Sequence, residues 1–550
     1  MKLPSVSSVT IILLATIVIF QQSCKKKDSP AEPDYLTVDL PNSTLQNDLY
    51  YAVDDDVRFI ELEFSQPVDT ATVQGNISFS DKSSIFDTAI SLLTLDRKVV
   101  LMFHPSFKLQ NGWKYSITVK TGLKSVSGLT FSATKIIEIR TPAFSLTDGD
   151  LMQRNAILCI SDIHMGEYRA VTNNYCWFSK NDSALTDLLD LVLTTHQVKQ
   201  VVILGDLFDE WVIPYGFAPF DTASGIHDSR GYFLSVANSP VNIPVINKLK
   251  AIASGSEIQL IYVPGNHDML LTKSVLEEII PGIIWQGTVS GLGEYLPVDE
   301  IIMEHGHRFD LFNCPQPLVT TGHMLPPGFF VSRLQAECSR THPGTLLKEA
   351  SDANGSLEFS VAWRLALDYL EIQYKMRVNE DSVNSLMSGI DGYMSRFSYN
   401  SAKSMYAANI ETNWPATQVI NAVPLGIPVI MAILDGQNDL FTAVGLEYFS
   451  DISPKKYKMA VLGHTHNPEL KVFPSGKNYT AIYANTGSWV NQEMCSKKVR
   501  TFVMIWPGKW TGSDLDIVSL YQYNLESGNG VPSPDYTPVL MAEESILRGN

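Results

Sequence analysis

Hydrophobic and polar positions alternate with a period of two through residues 35–142, then change rhythm near residue 155. Ile60, Leu62 and Phe64 alternate with Glu61 and Glu63, and Trp113, Tyr115, Ile117 and Val119 alternate with Lys114, Ser116, Thr118 and Lys120. Ile137 and Ile139 repeat the pattern against Glu138 and Arg140. Runs of this kind, broken by turn signals such as Asn111-Gly112 and Ser127-Gly128, predict half-buried strands of an antiparallel sandwich. The region shows no cluster of chemistry-bearing side chains, so a spacer or docking module is expected there.

After residue 155 the apolar positions gather into short continuous runs: AILCIS, VVILG, IQLIYVPG, IIMEHG and KMAVLG. Such runs predict strands buried on both faces. Between the first two, Leu185, Leu188, Leu189, Val192 and Leu193 form a helical face, with Asp182 or Ser183 as its cap. The pattern assigns residues 155–310 and 455–525 to one layered α/β domain. The intervening residues 311–454 exceed any loop prior and predict a mainly helical cap. Trp363, Leu367, Leu370 and Tyr374 mark one helix there, and Val383, Leu386, Ile390, Met394 and Phe397 a second. An apolar stretch at 424–436 is too short to cross a membrane and contains Pro428. Residues 526–550, rich in Gly and Pro at their start, read as a loose tail.

The amino terminus is a targeting segment. Lys2 precedes an apolar run at residues 9–20, and Ser23 precedes Cys24 and the polar stretch KKKDSPAEP. A cysteine so placed resembles a bacterial lipoprotein signal, which implies a signal peptide over 1–23, acylation of Cys24, a tether over 24–34 and attachment to a membrane of the cell envelope. A plain cleaved signal is the alternative; both imply export. With 41 basic against 58 acidic side chains the net charge is −17, which disfavours a nucleic-acid backbone as partner. Six cysteines in 550 residues do not make a disulfide framework.

Each of the five apolar runs ends in Asp, Asn or His: Asp162-Ile163-His164, Gly205-Asp206-Leu207-Phe208-Asp209, Gly265-Asn266-His267-Asp268, His305-Gly306-His307 and Gly463-His464-Thr465-His466. Six of the 11 histidines lie in these motifs, a concentration that scattered structural histidines would not produce. Layered α/β folds place their sites just past the carboxyl ends of strands. Carboxylate, amide and imidazole donors without thiolate suit Mn, Fe or Zn. Two such ions about 3.5–4 Å apart clamp the attacking and leaving oxygens of an in-line displacement, which is phosphoester chemistry.

In this order the five motifs resemble the signature of the calcineurin-like metallophosphoesterases. The resemblance implies that Asp162, His164 and His466, with bridging Asp206, hold one divalent ion, and that Asp206, Asn266, His305 and His464 hold the other. It implies hydrolysis through a hydroxide shared by the two ions, with His267 contacting the phosphate and Asp268 orienting His267. Asp209 stands where purple acid phosphatases carry a ligating tyrosine, so their ferric-tyrosinate colour is not expected. GDLFDEW also resembles the branch containing UDP-2,3-diacylglucosamine pyrophosphohydrolases, but His267 replaces an arginine of that branch and the substrate is not transferred. Residues 35–142, with FSQPVDTATV and WKYSITVKTGLKSVSG, resemble bacterial immunoglobulin-like domains.

The expected molecule is an immunoglobulin-like β-sandwich followed by an α/β metallophosphoesterase domain of layered mixed sheets flanked by helices, with a helical cap insertion. Its expected partners are a phosphorylated small molecule or lipid-linked substrate, and the membrane through Cys24. A surface adhesion protein that keeps the second domain as scaffold is the alternative, disfavoured because no member of the ligand set is missing.

Overall fold

The computed structural model describes, with short breaks, residues 35–141, 154–341 and 410–548, together with 386–387 and 396–397. The chain divides into two compact units, Met1–Pro142 and Ala143–Asn550.

The first unit holds two sheets. One has the order Val38–Asp39, Phe59–Phe64, Lys98–Phe103, Ile90–Leu95; the other runs Leu45–Gln46, Tyr50–Ala52, Lys135–Arg140, Lys114–Val119, Ile77–Asp81. Ile60, Leu62 and Phe64 are buried while the residues between them are not, so the period-two pattern marks the core face. Their partners across the core include Phe79, Tyr115, Ile117 and Ile139, and Leu101 lies beside them in the same sheet. All pairs are antiparallel except Tyr50–Ala52 with Lys135–Arg140, which is parallel, a departure from the wholly antiparallel expectation.

Two large sheets pack together in the second unit. Four parallel strands, Ile284–Trp285, Gln259–Val263, Val198–Leu204 and Ala156–Ile160, continue into antiparallel Thr501–Trp506, Leu515–Leu525 and Tyr536–Leu547. The second sheet has the order Glu294–Val298, Ile301–Glu304, Met459–Leu462, Thr480–Asn485, Glu469–Pro474. The strand Ala156–Ile160 shows why its run is continuously apolar. Ala156, Leu158 and Ile160 face the helices Asp182–Thr194 and Ile243–Ser254, whereas Ile157 and Cys159 pack between the sheets against Ile301, Met303, Val461 and Ile482.

Four sequence expectations need correction or limitation. The helix at 182 is capped from Asn181, whose carbonyl receives Leu185 N–H at 2.9 Å, so Asp182 is its first residue. Residues 526–550 are not wholly a tail, because Tyr536–Leu547 pairs along the whole of Leu515–Leu525 as the sheet's edge strand. Pro538 lies within this strand, and an edge tolerates proline. The pattern from Val383 to Phe397 is not one helix: Leu386–Met387 pairs antiparallel with Arg396–Phe397, and the intervening sequence carries Gly389 and Asp391-Gly392, which are turn chemistry. The pattern from Trp363 to Tyr374 lies outside the described residues. Helices Pro327–Thr341 and Ile410–Ile420 represent the insertion among those that are described.

Candidate metal centre

The chemistry-bearing side chains leave the carboxyl ends of strands from both sheets of the second unit. Asp162 and His164 follow Ala156–Ile160, Asp206 follows Val198–Leu204 and Asn266 follows Gln259–Val263; His305 follows Ile301–Glu304, while His464 and His466 follow Met459–Leu462. The turn at each end is tight enough to force unusual backbone. Asp162, His164, Asp206, His464 and His466 all have φ between 51° and 72°, a region non-glycine residues seldom occupy and one that gathers at functional sites. Gly205, at φ 80°, has no room for a side chain, since a Cβ there would meet Gly265 Cα and His305 Nδ1 at 2.6 Å. The Gly-Asp spacing therefore lets two strand ends close on each other.

The donor atoms converge. His466 Nε2 lies 3.2 Å from Asp162 Oδ1 and 3.1 Å from His164 Nε2. Asp206 Oδ2 is 3.6 Å from His164 Nε2 and 3.3 Å from His305 Nε2, and its Oδ1 is occupied by the backbone N–H of His267 at 2.9 Å. Asn266 Oδ1 meets His305 Nε2 at 2.9 Å and His464 Nδ1 at 3.1 Å. Asp206 is thus the carboxylate reached from both sets. All the expected ligands come together, as does His267, whose ring centroid is 4.5 Å from that of His164.

The arrangement fits divalent cations. Asp162 Oδ1 is buried and makes no well-aligned hydrogen bond, although His466 Nε2 lies 3.2 Å from it, and the Nε2 atoms of His164 and His466 face each other at 3.1 Å. Outer contacts set these rings. His305 Nδ1 donates to the Leu204 carbonyl at 2.6 Å, His164 Nδ1 meets Asp209 Oδ2 at 2.9 Å, and His464 Nε2 meets Asp310 Oδ2 at 3.1 Å. Each leaves the other ring nitrogen facing inward, the arrangement by which outer partners orient metal-binding histidines. Three groups, Asp162/His164/His466, His164/Asp206/His267 and Asp162/Asp206/His305, each bring donor atoms within 4.8 Å of one another.

The electrostatics match. Burial disfavours charge on Asp206, yet the facing His305, His267 and His164 outweigh it and hold the carboxyl well below its usual range. Asp162 is lowered in the same way, chiefly by His466 against its burial. Conversely, burial opposes protonation of His305, but Asp206 pushes it up to about 9, and Asp162 holds His466 well above the ordinary imidazole value. Protons on these rings balance the buried carboxylates where cations would.

Asp268 does not orient His267. Its Oδ2 accepts Leu207 N–H at 2.8 Å and Phe208 N–H at 3.3 Å, and its Oδ1 accepts Gly265 N–H at 3.0 Å, so it knits two motif loops together. The carboxylate at His267 Nδ1 is Asp209, at 3.1 Å, and it holds His164 as well. Asp310 and Asn313 were also missed. Asn313 Oδ1 accepts from Asn266 Nδ2 at 3.3 Å, which turns Asn266 Oδ1 inward, and Asp310 accepts from Asn313 Nδ2. The run HGHRFDLFN places them five and eight residues after His305, a signal with no spacing rule behind it. His307 is buried, with Nε2 on the Gly291 carbonyl at 3.1 Å.

Comparison with known proteins accords with this geometry. Residues 156–349 match the calcineurin-like phosphoesterase family model, and residues 51–141 match the bacterial Ig-like domain model. The chain carries an Ig-like domain ahead of a metallophosphoesterase domain. The metallophosphoesterase match ends before Gly463-His464-Thr465-His466, which the fold returns to the same site. No curated protein matches the sequence. Among solved structures, the nuclease MPE of Pseudomonas putida is 17% identical over 27% of this chain and 53% of that one, with a TM-score of 0.16. CopC from Methylosinus trichosporium OB3b is 17% identical over 20% of this chain and 92% of that one, with a TM-score of 0.15. The N-terminal part of the bacterial S-layer protein SbsC is 16% identical over 24% of this chain and 29% of that one, with a TM-score of 0.15. The chain spans less than a third of that first S-layer structure, and scores this low carry no argument.

Proposed function

We propose that the protein is an exported, lipid-anchored phosphoesterase that uses two divalent cations, Mn, Fe or Zn, to hydrolyse a phosphoester or pyrophosphate bond in a small-molecule or lipid-linked substrate. The observation that carries this reading is the position of Asp206, whose one free carboxylate oxygen is reached by His164 from one donor set and His305 from the other. Asp162, His164 and His466 with Asp206 would hold one cation, and Asp206, Asn266, His305 and His464 the second. Bound cations would supply Lewis-acid charge to the phosphoryl oxygens and make a water acidic enough to attack.

The protein's own groups do the rest. Burial opposes a charged His267, but Asp209 and Asp206 outweigh it and hold the ring above its ordinary value. With Nδ1 fixed on Asp209, His267 carries its other proton on Nε2, from which it donates to the phosphoryl or departing oxygen. Trp211, fully buried, stacks on the His267 ring at 4.6 Å and keeps it from turning. The Ig-like domain fits an extracellular or envelope protein. No helix among the described residues is long and apolar enough to cross a membrane, and Cys24 supplies the anchor in this reading. The test is a panel of phosphomonoesters, phosphodiesters and pyrophosphates offered to the purified protein with Mn²⁺ and with EDTA; no metal-dependent turnover of any class would remove the proposal.

A further inference from the structure

Beside His267 lies a wall of buried donors that the reaction above does not use. Arg333, on the helix Pro327–Thr341, is 0% exposed. Its Nη2 donates to the carbonyls of Phe217 at 2.9 Å and Pro214 at 3.4 Å. Nε and Nη1 have no hydrogen-bond partner, and among the described residues no carboxylate pairs with the guanidinium. Burial lowers Arg333 to about 10, opposed by the hydroxyls of Tyr232 and Tyr175 and aided by the like charge of Arg169. Two carbonyls thus take two of the five N–H bonds a guanidinium offers.

The helix that carries Arg333 reaches His267 through Trp211. Its Cζ sits 5.7 Å from the Phe329 ring centroid, Phe329 meets Trp211 edge-on at 6.1 Å, and Trp211 stacks on His267. Trp177 also packs near these rings, with centroids 5.9 Å from His267 and 5.1 Å from His164. The indole nitrogens of Trp177 and Trp211 are both buried and also lack partners. Leaving a buried donor unsatisfied is unfavourable, and leaving a buried cation unpaired is more so. Buried donors left without partners are what an acceptor-rich group would complete.

We propose that Arg333, flanked by Trp177 and Trp211, forms an oxyanion subsite beside His267 that holds a second acidic group of the substrate, a phosphate or a carboxylate. The subsite rests on the phosphoesterase reading and narrows it, because it favours substrates that carry an anion besides the phosphoryl group that reacts. Arg333 acts as a binding residue and takes no part in bond cleavage.

The test is calorimetric titration of inorganic phosphate, and separately acetate, into EDTA-treated protein as wild type, Arg333→Lys and Arg333→Met. The subsite predicts at least tenfold weaker binding of the preferred anion in both variants, since lysine keeps the charge but cannot present several fixed donors. Tighter phosphate assigns the second group as phosphoryl; tighter acetate assigns a carboxylate. Identical isotherms in wild type and Arg333→Lys for both anions would overturn the subsite. If Arg333→Met fails to fold by circular dichroism, Trp177→Phe and Trp211→Phe decide with Arg333→Lys, because each removes one N–H and keeps the ring; the subsite expects weaker anion binding in them, and unchanged binding counts against it. Hydrolysis is assayed separately with Mn²⁺. Absent turnover with intact Arg333-dependent binding would sink the activity and leave the subsite standing.

Discussion

Asp209 Oδ1 lies 3.1 Å from Nδ1 of His267, while its other oxygen holds Nδ1 of His164. One carboxylate therefore sets the proton on the group proposed to meet the leaving oxygen and the orientation of a proposed cation ligand. Asp209→Asn should lower kcat by roughly 10²-fold, in the range of lost general-acid catalysis. The sign of the pH effect follows from charge. Asp209 raises the His267 pKa, so the protonated ring persists to higher pH in the wild type, and the variant's alkaline limb should move to lower pH. A pH–rate profile of both proteins checks this. Asp268→Asn should leave the limb in place, since its carboxylate binds backbone N–H groups.

Asp206→Asn should lose metal and turnover together, because both donor sets share this oxygen. His267→Ala should retain most metal while losing turnover. Metal content after gel filtration, beside kcat, separates the two. Normal content and activity in Asp206→Asn would refute the assignment.

Metal uptake should release protons. His305 is raised to about 9 by Asp206 against its burial, so at neutral pH the ring is protonated and a cation must displace that proton. Affinity for Mn²⁺ should therefore rise with pH and level off only above the His305 value. Titrations in buffers of different ionisation enthalpy count the protons.

Ending the chain at residue 530 should destabilise the second unit. The lost strand Tyr536–Leu547 pairs with Leu515–Leu525, places Ile546 in the inter-sheet core and meets Ser519 Oγ with Glu543 at 2.7 Å. A loss of about 2–4 kcal/mol, within the range for a buried large side chain, would lower the melting temperature by roughly 4–16 °C. Differential scanning calorimetry measures it.

Cys24→Ala should move the protein from the membrane to the soluble fraction with specific activity unchanged, since one acylated terminus is the anchor in this reading. Wild-type protein found wholly soluble would refute it.

The strands that end in ligands were legible because burial on both faces leaves a continuous apolar run, and the donors sit at the same point after each run. Asp209, Asp310 and Asn313 were not legible as partners of the ligands. Each is an ordinary acid or amide whose role depends on where a distant histidine arrives, and Asp310 meets His464 across 154 residues. The swap of Asp268 for Asp209 has the same origin: adjacency to His267 in sequence points at Asp268, whereas the loop turns its carboxylate back on Leu207 and Gly265. At the far end, Gly and Pro over 526–535 concealed a strand whose apolar positions bunch at 539–542 instead of alternating and whose partner sits on one side alone.

The proposed ligands come from two different sheets, which would make the centre a rivet as well as a reaction site. Asp162, Asp206 and Asn266 belong to one layer, His305, His464 and His466 to the other, and in sequence residues 311–454 stand between the two parts of the second layer. A cation held across that seam opposes separation of the layers. Cation at a hundred times its dissociation constant adds about 2.7 kcal/mol to the folded state. Chelation should then loosen the seam first, so the layer carrying the insertion becomes open to proteolysis before the parallel strands do.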